Sequence, residues 1–246
     1  MLFDLSIEQI AALTIALVGA AYVRGYSGFG FSAIFISAAS LITNPLPLIP
    51  VVFASEIAMT AFQARGIRGH IDWKRVLTLL AGAAVVLPIS VSAILAFGAE
   101  TARVAVSAIV LVMSLILLSG WTLTRVIGAP GHIGVGAVSG LCNAAGVGGL
   151  PVAAFMTAQP MAAATFRATM IVYLTGLDII TLPFLWHGGL VTSETAIAAL
   201  CAFPLLGVGV WLGSRRFSST SPSTFRRFAV ILLLVLSVLG LIRAIL

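Results

Sequence analysis

Eight long hydrophobic segments make up nearly the whole chain, and two of them are cut by glycine clusters. They lie at residues 8–43, 46–64, 76–98, 102–122, 133–158, 161–185, 195–214 and 226–245. A helix that crosses the hydrocarbon core of a bilayer needs about 20 apolar residues, so six of the segments fit one crossing each. Segment 8–43 is too long for one. It contains the break Gly25-Tyr26-Ser27-Gly28-Phe29-Gly30, and segment 133–158 contains Asn143-Ala144-Ala145-Gly146-Val147-Gly148-Gly149. Mid-helix glycine costs about 1 kcal/mol against alanine. Runs of it at bilayer depth are tolerated where irregular backbone lines a cavity enclosed by protein. The pattern predicts an all-α integral membrane protein with two broken helices.

Composition agrees. Hydrophobic residues are 61% of the 246 and charged residues 8%, against about 25% charged in soluble domains. So few charges cannot cover a soluble globule, which excludes cytosolic enzymes, nucleic-acid binders and disulfide scaffolds. The formal charge is +6, but no basic stripe interleaves with polar residues, so no nucleic-acid partner is expected. Cys142 and Cys201 sit in apolar runs, no Cys-x-x-Cys occurs and the histidines are scattered. Neither a metal nor another cofactor is expected. Asp4 and Glu8 precede or open the first segment where a cleaved signal peptide would be basic. No Gly-x-x-x-x-Gly-Lys motif is present, so no ATP hydrolysis is expected. The expectation is a single transmembrane domain over 1–246, multi-pass in the cytoplasmic (inner) membrane.

The two breaks are 118 residues apart, with Ser27-Gly28-Phe29-Gly30 falling on Ala145-Gly146-Val147-Gly148. Repeat 1 covers about 8–122 and repeat 2 about 133–245. Such duplication is a signature of secondary transporters. The loop holding Arg65, Arg68, Lys74 and Arg75 is basic, while its counterpart, Trp186 to Glu194, has no Lys or Arg. In the next pair of loops the bias reverses: Arg215 to Arg227 carries four arginines, and the stretch around Glu100 is nearly neutral. The positive-inside rule is satisfied everywhere if each broken segment is a hairpin that returns to its starting side. The expected architecture is therefore two inverted repeats, each a broken-helix hairpin plus three transmembrane helices, with both termini periplasmic. Trp73, Trp121, Trp186 and Trp211 fall near predicted helix ends, as an aromatic belt requires.

A broken helix exposes backbone N–H groups at the start of its second piece, equivalent to roughly +0.5 of a charge, and this attracts anions. Ser27, Gly28 and Gly30 in the first break, and Asn143, Gly146 and Gly148 in the second, are candidate substrate contacts. The alternative for the glycines is close helix packing alone. Arg24 precedes the first break and Arg167 opens the sixth segment. A charge at bilayer depth costs at least about 2.5–3.5 kcal/mol, so both are candidate anion contacts unless they snorkel to the interface. Glu56 and Asp178 lie deep in segments of matching position and are candidate proton carriers or arginine partners, the alternative being neutral acids hydrogen-bonded to neighbouring helices. Tyr173, Ser55, Thr169 and Thr175 could line the same cavity. Gly25-Tyr26-Ser27-Gly28 also matches the Gly-x-Ser-Gly pattern of rhomboid-type intramembrane serine proteases. That chemistry needs a histidine base, and His70, His132 and His187 fall outside mid-span positions. No enzyme is expected.

Gly25-Tyr26-Ser27-Gly28-Phe29-Gly30-Phe31, Val138-Ser139-Gly140-Leu141 and Gly146-Val147-Gly148-Gly149-Leu150-Pro151 resemble the TauE/SafE family of sulfite-exporter-like permeases, within the 4-toluene sulfonate uptake permeases. The proline-led segments after each break and the two-half organisation extend the resemblance over nearly the whole chain. It implies movement of sulfite, sulfonates or related small organic anions, and it implies that Gly28, Gly30, Gly146 and Gly148 are the helix breaks at the substrate site. The expected function is a secondary transporter for a small organic or inorganic anion, sulfur-containing or carboxylate, probed against two rivals: a passive anion channel and a rhomboid-like protease. Proton coupling and alternating access by rocking one repeat against the other are expected. The expected partners are the anion, protons and the lipid bilayer, with a homodimer left open.

Overall fold

The computed structural model describes residues 2–96, 99–120, 122–123, 127–217, 231, 234 and 238. The predicted last segment and Trp121 lie almost wholly outside them. The described residues form α1 (Ile7–Ser27), α2 (Phe31–Ile42), α3 (Ile49–Ile67), α4 (Trp73–Ala96), α5 (Ala99–Leu118), α6 (Ala129–Asn143), α7 (Gly149–Thr157), α8 (Ala163–His187) and α9 (Ser193–Phe217). Five are long and apolar enough to cross a membrane: α1, α3 with the turn before it, α4, α8 and α9. Their outer faces carry large bare side chains, with Ile15 75%, Val85 74% and Leu200 76% exposed. Patches of this kind need a hydrocarbon solvent. The chain is a multi-pass membrane protein.

Helix ends follow local chemistry more than apolar runs. α4 starts three residues before its apolar run, because Asp72 caps it: Arg75 N–H donates to Asp72 Oδ1 at 3.1 Å. Ser6 and Gln9 form a capping box at the start of α1, which satisfies two orphan donors.

Each broken segment is a closed hairpin. Gln9 Nε2, in the first turn of α1, donates to Ile42 O at the end of α2 (3.3 Å). In the second half, Leu123 N–H donates to Ala158 O (2.7 Å) and Ile127 N–H to Gln159 Oε1 (3.3 Å). The chain entering α6 therefore meets the chain leaving α7. The pieces are unequal, since α1 is itself long enough to cross while α2, α6 and α7 are shorter.

The closest packing runs between the halves. α1 lies along α9 and α4 along α6. Glycine makes both seams possible. Gly25 approaches Val210 O so closely that a Cβ would sit 2.5 Å from it, and Gly209 and Gly213 lie against Val18, Ala21 and Tyr22. In the other seam Gly82 meets the Ile133 backbone, Gly136 the Leu79 backbone and Gly140 the Ala83 backbone. Leu79 lies at Gly136 and Ala83 at Gly140, as Ala21 lies at Gly209 and Tyr26 at Gly213, so both pairs are parallel. α3 and α8 cross antiparallel at the centre: Thr60 meets Thr175 and Ile67 meets Ala168 and Ile171.

These directions put Arg65, Arg68, Lys74, Arg75, Arg215 and Arg216 at one end of the molecule. Asp4, Glu8 and Glu194 lie at the other, where Phe3 N–H donates to Glu194 Oε2 (3.0 Å).

Candidate functional site

The polar centre is built where α3 and α8 cross, beside the last turns of α1 and α6. Arg24 and Glu56 are 0% and 1% exposed, and Arg24 Nη1 lies 3.1 Å from Glu56 Oε1. Arg24 Nη2 donates to Thr60 Oγ1 at 3.1 Å and to Glu56 O at 3.4 Å. Thr60 and Thr175 share a hydrogen bond of 2.6 Å. Asp178, 1% exposed, lies within side-chain hydrogen-bonding reach of Glu56 and Asn143, with Arg24 close by. Asn143 Nδ2 donates to Thr181 Oγ1 (3.0 Å). The halves thus offer matching constructions. Each has an acid on the long helix after the break, a threonine one turn away, and a donor at the end of the broken helix. Arg24 is that donor in the first half and the neutral Asn143 in the second.

The first break is held by its own backbone. Gly28 closes α1 in the left-handed region at φ 83°, donating its N–H to Arg24 O (2.8 Å), and Gly30 opens α2 at φ 90°. Ser27 Oγ can donate to Val23 O or Phe29 O, both at 2.8 Å, and accepts from Phe29 N–H at 3.3 Å. The Ser27 hydroxyl serves the turn, as a cap does. In the second break Gly146 has φ 75°. Gly148 is ordinary in backbone, and its need is space: a Cβ there would sit 2.6 Å from Asn143 Oδ1. Tyr173 O–H donates to Ser139 Oγ, which donates to Gly148 O, both at 2.6 Å. Among the described residues no side-chain hydrogen bond caps the start of α2 or α7.

Arg167 does not join Glu56 or Asp178. Its Nη2 donates to Gly25 O (2.7 Å) and Ser214 Oγ (3.0 Å), placing a cation at the C-terminal end of the broken α1, where the helix dipole favours one. Its chain also packs under Gly28, whose Cβ would meet Arg167 Cγ and O at 2.9 Å. Gly28→Ala therefore combines a positive φ with a clash. We expect it to cost at least about 1–2 kcal/mol and to cut flux by tenfold or more, measured by unfolding in micelles and flux in proteoliposomes. Wild-type behaviour in both assays would remove Gly28 from the site.

Among the other residues singled out in the sequence, Thr169 accepts from Asp72 N–H (3.0 Å) and so braces the α3–α4 loop at the basic end. Ser55 is buried beside Glu56 in sequence. Sequence reasoning missed Thr60, Thr181, Ser139 and Ser214. Thr60 and Thr181 were findable, since each lies within one helical turn of an intramembrane acid and shares its face.

A family model described as "Sulfite exporter TauE/SafE" matches residues 12–239. No curated protein and no solved structure matches the chain.

Proposed function

The chain belongs to the sulfite exporter TauE/SafE family, and on that premise we propose that it is a secondary transporter carrying sulfite, an organosulfonate or a related small anion across the cytoplasmic membrane, coupled to protons. The observation that carries this reading is the ion pair at the crossing of α3 and α8. A cation at 0% exposure is expensive in a membrane interior and marks a substrate or ion pathway. Its enclosure favours a carrier that exposes the site by turns over a passive channel, which needs a continuous wet path.

Arg24, with the uncapped starts of α2 and α7, would take the oxygens of the anion. Glu56 and Asp178, two buried acids close to each other, would carry the coupling proton between them. Ser27, Gly28, Gly30, Asn143, Gly146, Gly148, Arg167 and Tyr173 would shape the surrounding cradle. Antiparallel α3 and α8, and the exchanged seams α1–α9 and α4–α6, support inverted repeats. They also alter the expected motion. Each hairpin is tied by a glycine seam to a helix of the opposite half, so the rocking bodies would be these mixed groups and not the sequence halves. The basic end would face the cytoplasm.

The test is flux into proteoliposomes of sulfite, methanesulfonate and acetate under imposed pH gradients. Saturable flux that moves protons is the expected result. Flux that neither saturates nor responds to the gradient would indicate a channel, and no flux of any anion would end the transport reading.

A further inference from the structure

We propose that Glu56 is a tethered competitor for the anion: its carboxylate holds the Arg24 guanidinium until substrate arrives, then leaves it and takes up a proton. This deepens the transport reading above and rests on it. The geometry of Arg24 is the ground. Nη2 is anchored by Thr60 Oγ1 and Glu56 O, so the guanidinium is fixed independently of the Glu56 carboxylate. Nη1 lies 3.1 Å from that carboxylate, its one ion-pair contact among the described residues. Nε is buried and has no hydrogen-bond partner among the described residues, and neither Nη1 nor Glu56 Oε1 makes a well-aligned hydrogen bond. A guanidinium is a fork that binds two oxygens at once. Here it is left incompletely filled by the acid that neutralises it. An anion with two or more oxygens on one centre, such as a sulfonate, sulfite or carboxylate, fills it better.

Displacement without protonation would leave two negative groups against one cation in a dry interior, which is costly. The nearby charged and titratable groups show where a proton can rest. α8 presents Asp178, within hydrogen-bonding reach of Glu56, and Tyr173 and Arg167 further along. α1 presents Arg24, and α6 brings Cys142 and Asn143 near the Asp178 side. α2 has no titratable side chain. On α9, Cys201 is exposed and Glu194, Arg215 and Arg216 lie in the terminal turns. The step balances simply. A proton from water binds a Glu56 carboxylate oxygen, the Arg24–Glu56 contact breaks, and N–H···O bonds form from Arg24 to the anion. One proton enters with each negative charge, so a monoanion moves without net charge.

The test uses the purified full chain and methanesulfonate, which stays a monoanion across mildly acid and mildly alkaline pH. In the wild type, affinity should strengthen about tenfold for each unit fall in pH, and binding in weakly buffered solution should take up one proton per anion. Glu56→Gln keeps the shape and removes the competing carboxylate. This variant should bind methanesulfonate with no proton uptake and no pH slope, and more tightly than the wild type at alkaline pH. Wild-type binding without proton uptake overturns the proposal, and that measurement needs no variant. A folded Glu56→Gln variant that loses binding, or keeps the wild-type slope, also overturns it. Failure of the wild type to bind or move methanesulfonate, sulfite and acetate overturns the transport reading instead.

Discussion

Replacing Arg24 with alanine is expected to cost about 3–5 kcal/mol of stability and to abolish anion flux. The cost arises less from the lost attraction than from what is stranded. Glu56 is 1% exposed and its charged partner is 3.1 Å away; without it, a buried carboxylate is left beside a second buried acid, Asp178, and has lost the cation that neutralised it. Thr60 also loses its Nη2 donor. Unfolding in detergent micelles reads the first effect, and flux in proteoliposomes the second. The double variant Arg24→Gln with Glu56→Gln removes both charges, so most of the stability should return, because a buried ion pair is often no better than neutral groups of its shape. Flux should not return. A single variant with wild-type stability and flux would show that the pair is neither structural nor functional.

The second large effect concerns the seam between α4 and α6. A side chain at Gly136 has nowhere to go, because the Leu79 carbonyl and Cα occupy its place. Gly136→Leu must push the two helices apart along their length, undoing the approach of Gly82 to Ile133 and of Gly140 to Ala83. We expect a loss of at least about 3 kcal/mol, at the upper end of overpacking costs, and most of the folded protein with it. Gly134→Leu is the matched control. It lies on the same helix, half a turn away, is exposed, and has no atom within 4 Å of its added Cβ. It should stay within about 0.5 kcal/mol of wild type. Equal behaviour of the two variants in thermal unfolding would sink the packing explanation.

Much of this architecture was legible in the residues. Gly28, Gly30 and Gly146 each adopt positive φ, which is what a glycine cluster inside an apolar run suggests. The hairpins were inferred from charge alone, since only a returning segment put Arg215 and Arg216 on the same side as Arg65 and Arg68. Arg24, Glu56 and Asp178 stood out because charge at bilayer depth is costly, and all three meet. That Glu56 could pair with an arginine was legible; that the partner is Arg24 and not Arg167 was not. Helical periodicity gives the face of one helix, and the neighbour on that face comes from tertiary packing. Arg167 illustrates the gap: its Gly25 carbonyl partner is 142 residues away and is backbone, which no residue pattern marks. The Gly-x-x-x-Gly spacings Gly136/Gly140 and Gly209/Gly213 announce close helix contact, but their partners lie in the opposite half and are ordinary apolar residues.

The exchanged seams also bear on how the protein is made. α1 leaves the ribosome long before α9, and α4 before α6, so the first half enters the bilayer with its two glycine-lined contacts unmade. Its most hazardous charge does not share that delay. Arg24 and Glu56 belong to the same half, with Thr60 beside them, and can neutralise each other as soon as α3 is inserted. Biogenesis is thereby divided: electrostatic settlement is early and local, and tight packing waits for the second half to arrive.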